Sequence, residues 1–128
     1  MTTTDALRAL LQRYARAADD RDLDALKAVF HPDAEITGAK GTMTVGEWLT
    51  TMAAPRAFPT SMHMMGEPLI ELDEAGTGAT LDTYAVVYQL AAEGGDDLTL
   101  GIRYVDEAVL MSERWVIRRR RSETRWMR

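Results

Sequence analysis

His63 has the side chain best suited, by its type and surroundings, to acid–base chemistry. It lies in the segment SMHMM, an apolar run that predicts a β-strand. Burial among apolar side chains favours the neutral imidazole, which accepts a proton near pH 7, so a histidine here can act as a general base. Two structural alternatives stand beside this hypothesis: a core histidine satisfied by a hydrogen bond, and a histidine on the solvent face of an edge strand.

Asp19 is the candidate partner of His63. It follows the apolar stripe of the first predicted helix. A carboxylate turned inward there accepts the ring N–H of the histidine, fixes its tautomer and stabilises the imidazolium. Asp20 and Asp22 lie close by in the sequence, and only one of the three can take this role. In the alternative interpretation Asp19 is an ordinary surface carboxylate or the cap of the following turn.

Tyr14 and Asp106 are candidates for stabilising negative charge on a substrate oxygen. Tyr14 belongs to the apolar stripe of the first helix, so its ring is expected in the core and its hydroxyl needs a partner, which a ligand oxygen would supply. Asp106 alternates with Tyr104 on one strand face. On an inner face, desolvation can keep Asp106 protonated as a donor to an oxyanion. The alternative is a solvent-facing carboxylate paired with an arginine.

Two tyrosines and two further residues are expected to line a pocket. Tyr84 and Tyr88 share one face of a predicted strand, which makes them either pocket walls or cross-strand packing residues. Trp48 and Met65 complete the expected pocket set.

The remaining charged residues carry little functional signal. The formal charge of −5 argues against a nucleic-acid partner. Arginines 118–121 alternate between the two faces of a predicted strand, so they form no continuous basic patch and are expected to pair with carboxylates or to lie at an interface. His31 is expected on a surface turn. With no cysteine, no histidine pair at HExxH spacing and no glycine-rich phosphate loop, we expect no metal and no cofactor.

The order of predicted elements indicates an α+β fold. Thr4 or Asp5 can cap a first helix, Asp22 a second, and residues 47–52 suggest a third. Short strands are expected at 34–37 and 42–45. Four longer strand candidates follow, separated by turn segments: SMHMMGEPLIELD, GATLDTYAVVYQL, DLTLGIRYVDEAVLM and RWVIRRRRSETRW.

A chain of 128 residues fits one domain. We therefore predict helices packed against one curved, mostly antiparallel sheet. Neither a signal peptide nor a membrane-spanning run is visible, so a cytoplasmic protein with no membrane partner is expected.

Three segments together resemble the SnoaL-like branch of the NTF2-like superfamily: LLQRYARAADDRDLDALKAVFHPDAEI, SMHMMGEPLIEL and GIRYVDEAVLMSERWVIRRR. The superfamily includes scytalone dehydratase, ketosteroid isomerase, bile-acid dehydratase and hexachlorocyclohexane dehydrochlorinase. The resemblance implies a cone-shaped domain over residues 1–128, with a histidine and aspartate pair at His63 and Asp19. It also places the oxygen-binding tyrosine at Tyr14 and the protonated aspartate of the isomerase at Asp106.

Two departures from the superfamily narrow the expected chemistry. The position of the isomerase's catalytic aspartate is occupied by Gly38, which argues against isomerisation through that base. The second histidine of scytalone dehydratase is missing, and Tyr84 or Tyr88 is a possible substitute.

The resemblance implies a cofactor-independent dehydratase, elimination lyase or isomerase acting on a hydrophobic, cyclic small molecule in an enclosed pocket. Alternatives are a non-catalytic ligand-binding or assembly module, and a polyketide-type cyclase or epoxide hydrolase, although no Asp, Arg, Asp cluster can be assigned. Because the convex sheet face of this fold usually dimerises, we also expect a homodimer.

Overall fold

Three helices and seven strands make up residues 1–55 and 58–128, the part of the chain that the computed structural model describes. The helices occupy mainly the first half and the long strands the second, as an α+β fold requires. The elements are α1 Thr3–Asp20, α2 Leu23–Val29, β1 Phe30–Gly38, β2 Gly41–Thr44, α3 Val45–Ala53, β3 Thr60–Met65, β4 Leu69–Leu72, β5 Gly78–Leu90, β6 Leu98–Met111 and β7 Arg114–Met127.

The N-cap of helix α1 lies two residues before Thr4 and three before Asp5, the two expected caps. Thr2 is the N-cap: its hydroxyl accepts from the backbone N–H of Asp5, whose carboxylate in turn accepts from the N–H of Thr2. This reciprocal capping box satisfies two amides that a helix start leaves unpaired. The helix ends at Arg21, which has a left-handed backbone conformation with φ 53°. Asp22 then caps α2, as the sequence predicts.

One curved sheet forms the wall against which the helices pack. Its strands lie in the order β2-β1-β7-β6-β5-β3, with β4 also paired to β5, and every pairing is antiparallel except the parallel one between β1 and β7. Register shifts between β6 and β7 at Gly101/Ile102 and Glu107/Ala108 increase the local bend and twist. The inner face and the helices enclose the apolar core, which includes Leu7, Leu10, Leu11, Leu26, Leu81 and Ile117.

The predicted strand SMHMMGEPLIELD is two strands, β3 and β4. The backbone N–H of Gly66 donates to the carbonyl of Tyr84 at 2.7 Å, and a Cβ on Gly66 would lie only 2.8 Å from that oxygen. Pro68 then removes a backbone donor. Between the pairs Met65↔Ala85 and Leu69↔Asp82, the segment joining β3 to β4 therefore has one residue more than the facing part of β5. The predicted continuous strand is interrupted at this point.

His31 lies in β1 and not on a surface turn as expected. Its ring Nδ1 accepts a hydrogen bond of 3.0 Å from the backbone N–H of Asp33, where the pairing of β1 with β7 is irregular.

In the described part of the chain, no helix is both long and apolar enough to cross a membrane.

Candidate functional site

Asp19 and His63 form the polar centre of the inner side of the fold. Asp19 lies in the last turn of α1, and His63 lies in β3, an edge strand of the sheet. The ring Nδ1 of His63 is 2.6 Å from Asp19 Oδ1, and the backbone N–H of His63 donates to Asp19 Oδ2 at 2.8 Å. The side chain of His63 is 12% exposed and that of Asp19 is 18% exposed, so the pair is largely shielded from solvent.

Helix geometry selects Asp19 from the three neighbouring aspartates. It lies four residues after Ala15 and so continues the buried face of α1. Asp20 is exposed to solvent, and Asp22 is occupied as the N-cap of α2. Of these three aspartates, Asp19 is the one that is hydrogen-bonded to β3.

The hydrogen bond assigns the histidine tautomer. A carboxylate can only accept, so Nδ1 of His63 carries the proton and the neutral ring has its lone pair on Nε2. This is the arrangement in which an aspartate orients an imidazole and stabilises its protonated form. The pair can therefore take up a proton at Nε2.

Tyr14 connects this pair to an aromatic cluster inside the cone. Its ring meets His63 edge-on at 5.7 Å between centroids and stacks on Trp48 at 6.5 Å. It also meets Phe30 and Tyr104 edge-on. Of the expected pocket residues, Trp48 and the partly buried Met65 pack against this core.

Arg120 is a buried cation beside the cluster, and it was missing from the predicted site. It is 1% exposed and lies over the rings of Tyr14 and Tyr104, at 4.0 and 4.1 Å from their centroids. Burial acts to lower the pKa of Arg120, but Asp106 and the two tyrosines outweigh it and the pKa is raised. Its Nη1 has no hydrogen-bond partner among the described residues.

The sequence matches the model of the SnoaL-like domain over residues 1–121. The chain belongs to the SnoaL-like domain family. No curated protein matches it.

Solved structures with the same fold resemble this SnoaL-like domain over nearly its full length. A proposed scytalone dehydratase from Novosphingobium aromaticivorans is 20% identical with a TM-score of 0.88, covering 100% of this chain and 91% of that one. A type 2 hexachlorocyclohexane dehydrochlorinase is 15% identical with a TM-score of 0.84, covering 97% and 86%. Kfla4162 from Kribbella flavida is 18% identical with a TM-score of 0.86, covering 97% and 91%. At these identities the likeness establishes the fold of the SnoaL-like domain, an NTF2-like cone.

Asp106 lies on the inner face of the SnoaL-like domain, as the inner-face alternative predicts, but its partner differs from the expected oxyanion. It is fully buried, and its two oxygens accept from Nε and Nη2 of Arg120 at 2.8 and 3.0 Å. Both carboxylate oxygens of Asp106 are therefore occupied as acceptors of the guanidinium fork. The contacts therefore correct its predicted role from proton donor to anchor of Arg120.

Tyr84 and Tyr88 lie on the outer face of the sheet and do not line the inside of the SnoaL-like domain. They are 62% and 42% exposed, because the alternate residues of β5, including Thr83 and Val87, face inward. The two tyrosines therefore cannot substitute for a second catalytic histidine inside the cone. Met62 and Met64, which flank His63 in the sequence, also point outward, whereas Met65 lies on the side of His63.

Two other kinds of site are not formed by the described residues. No group of three His, Asp or Glu side chains is close enough there to hold a metal ion. Within residues 1–55 and 58–128, the ion pairs of Arg120 involve one carboxylate, that of Asp106, so the Asp, Arg, Asp cluster of the epoxide-opening alternative is not assembled around it.

Proposed function

We propose that this SnoaL-like domain is a cofactor-independent acid–base enzyme acting on a hydrophobic small molecule. The reaction class is a dehydration, another elimination or an isomerisation. The observation that carries the proposal is the hydrogen-bonded pair of Asp19 and His63, at 2.6 Å and largely shielded from solvent. The names of two structural relatives, a proposed dehydratase and a dehydrochlorinase, agree with eliminations as the reaction class.

In the proposed reaction, Nε2 of His63 removes a proton from carbon. Asp19 keeps the ring in the required tautomer and stabilises the imidazolium that forms. In a dehydration or isomerisation the imidazolium then returns the proton to the leaving oxygen or to another carbon. In an elimination that expels an anion, the leaving group departs with the electron pair of the broken bond.

Arg120 and Tyr14 are the proposed stabilisers of negative charge in the transition state. A buried cation acts strongly because little water screens it. Arg120 Nη1 is unpartnered among the described residues, so it can donate to a developing oxyanion or to a departing anion. Tyr14 lies between Arg120 and His63, which favours its phenol as a second contact for the same atom.

The lining of the inner side suggests the substrate class. Tyr14, Phe30 and Trp48 form one aromatic cluster, and Met65 adds a flexible apolar side chain. Aromatic and apolar side chains of this kind favour a hydrophobic and cyclic substrate over a charged one.

The test is turnover of scytalone, hexachlorocyclohexane and a panel of cyclic β-hydroxyketones. On any substrate that reacts, His63→Gln is expected to lower kcat/KM by about 10²–10⁴-fold, and Asp19→Asn by a comparable factor. The control is His31→Gln, which changes the other histidine and should leave kcat/KM unaltered. Full activity of His63→Gln would overturn the proposed base. A ligand bound unchanged, with the same affinity after His63→Gln, would favour the binding-module alternative.

We also propose that the outer sheet face pairs with a second copy of the chain. Met64, Val86, Gly101 and Trp126 lie side by side across four strands, and the exposed Met64 and Trp126 lie at the ends of this row. Gly101 leaves room for the indole of Trp126, which a Cβ would displace. Light scattering should give twice the 14.3 kDa chain mass, and Met64→Glu with Trp126→Glu should give the single-chain mass. A wild-type mass of one chain would contradict the dimer.

A further inference from the structure

The carboxylate of Asp19 is held by a third hydrogen bond, from a side chain other than His63. The hydroxyl of Ser61 donates to Asp19 Oδ1 at 2.9 Å. This is the oxygen that also accepts from His63 Nδ1, whereas Oδ2 accepts from the backbone N–H of His63. One oxygen of the carboxylate is therefore shared between the ring of the proposed base and a serine.

We infer that Ser61 is a positioning residue that sets the basicity of His63 through Asp19. The inference rests on the proposed function for its catalytic meaning, but its physical content concerns the histidine itself. A donor to a carboxylate stabilises its negative charge and makes it a weaker acceptor for other donors. The Ser61 hydroxyl therefore moderates the pull of Asp19 on the ring N–H, which keeps more of His63 neutral and able to accept a proton.

Strand alternation explains why the residue at position 61 can do this. Residues 61 and 63 are two apart in β3 and point to the same, inner face. Thr60 carries a hydroxyl as well, but it is exposed on the opposite face. A hydroxyl at position 61 thus reaches Asp19 from the strand that carries the base.

A groove of about 540 Å³ lies along the edge of β3 and determines which substitutions of Ser61 are informative. Ser61, Asp19, Asp20 and Tyr88 are among the residues that line it. Because the groove reaches Asp19, a water molecule can enter the space left by Ser61→Ala and replace the lost donor. The matched pair Ser61→Val and Ser61→Thr avoids this ambiguity, since the two side chains have similar volumes and differ in the hydroxyl.

The other charged and titratable groups around the pair are the same in both variants. Among the described residues they are Tyr14, Arg16 and Asp20 of α1, Tyr88 of β5, Tyr104 and Asp106 of β6, and Arg120 of β7. A difference between the valine and threonine variants therefore reports the hydroxyl at position 61.

The experiment is a titration of ¹⁵N-labelled histidine followed by NMR in the full chain without ligand. The chain has two histidines, and their neutral tautomers differ. His31 accepts at Nδ1 and so carries its proton on Nε2, whereas His63 donates from Nδ1. Long-range ¹H–¹⁵N spectra distinguish the two rings, and His31 serves as the internal reference.

Ser61→Val is expected to raise the proton affinity of His63 about threefold relative to both wild type and Ser61→Thr, with His31 unchanged. The acid limb of kcat/KM on any reacting substrate should move to higher pH by the same factor. If the valine variant does not fold, Ser61→Cys replaces it: the thiol fills the space of the hydroxyl but is a weak hydrogen-bond donor, so a shift in the same direction is expected. Equal His63 titrations for the hydroxyl-bearing and hydroxyl-free chains would overturn the inference. Because this readout needs no substrate, it is decided separately from the proposed function.

Discussion

Two Asp–Arg pairs of similar geometry lie on opposite faces of the same three strands. On the inner face, Arg120 donates from Nε and Nη2 to Asp106 at 2.8 and 3.0 Å, and the two side chains are 1% and 0% exposed. On the outer face, Arg103 donates to Asp82 from the same two nitrogens at 2.9 and 2.5 Å, but these side chains are 33% and 28% exposed. The two ion pairs therefore share a geometry and differ in their exposure to solvent.

The inner pair is better understood as part of the site than as a device for stability. Removing two ions from water costs several kcal/mol for each of them, and their attraction roughly offsets that cost. What the pair provides is a fixed cation against Tyr14. Water and salt reach the outer pair, so its attraction is screened and its net contribution is small.

The largest expected effect is that of Asp106→Asn, which leaves the Arg120 charge buried without its counter-charge. We expect a loss of about 3–5 kcal/mol in the free energy of unfolding. Urea unfolding followed by tryptophan fluorescence measures it. A loss no larger than that of the outer-face variant Asp82→Asn would contradict the distinction between the two faces.

The matched control is the double variant Asp106→Leu with Arg120→Met, which removes both buried charges. Its stability should equal that of wild type or exceed it by about 1–4 kcal/mol. Turnover of any reacting substrate should nevertheless fall, because the cation of the site is gone. This combination would show that the inner pair is retained for function.

An intermediate effect is expected at high pH from Tyr104, which packs against Arg120 on the inner face. Burial, with the neighbouring Tyr14, raises the pKa of Tyr104 well above its ordinary value of 10.0. A raised pKa means that the folded state favours the neutral phenol. The stability it contributes is complete below about pH 10 and is lost as the pH rises from there toward the folded-state pKa.

Tyr104→Phe removes that titration while keeping the ring. Above about pH 10 its unfolding free energy should fall less steeply than that of wild type. Urea unfolding at a series of pH values measures this slope. The control, Tyr88→Phe, changes an exposed outer tyrosine and should follow the wild-type curve. An identical alkaline slope for Tyr104→Phe and wild type would refute the assignment.

The smallest effect is expected from Asp82→Asn on the outer face. The hydrogen bond from Arg103 holds the pKa of Asp82 below its ordinary value of 3.8. A lowered pKa means that the stabilisation is present above that value and is lost as the pH falls through the folded-state pKa. At neutral pH the loss should be less than about a third of that of Asp106→Asn. It should disappear in about 0.5 M NaCl, which shortens the screening length. Salt-independent destabilisation would show that the outer pair is shielded after all.

Much of the fold followed from local patterns. The apolar stripe that includes Tyr14 predicted the buried face of α1, and Asp22 predicted the start of α2. Alternation along β6 correctly grouped Asp106 with Tyr104. These successes share a cause, since helix and strand periodicity are properties of neighbouring residues.

The site was predicted less completely, because its contacts join distant parts of the chain. Resemblance assigned His63 and Asp19, whereas their residue types alone left the choice among three aspartates open. Their catalytic roles stay predictions. Alternation along β7 could have identified Arg120. Because β7 lies inside the sheet, every second residue of its arginine run must point into the cone. Its pairing with Asp106 still required the register between β6 and β7, which shifts at Glu107/Ala108.

The sequence by itself determined the elements, the buried face of each helix and the residues that share a strand face. Tertiary structure decided which face of β5 points inward, that β3 and β4 separate at Gly66, and that Asp19 reaches a strand 44 residues away. The physical reason is that register and curvature depend on the summed packing of the whole sheet against the helices. No local pattern specifies that sum, so the aspartate that meets His63 and the arginine that Asp106 binds are known only from the folded chain.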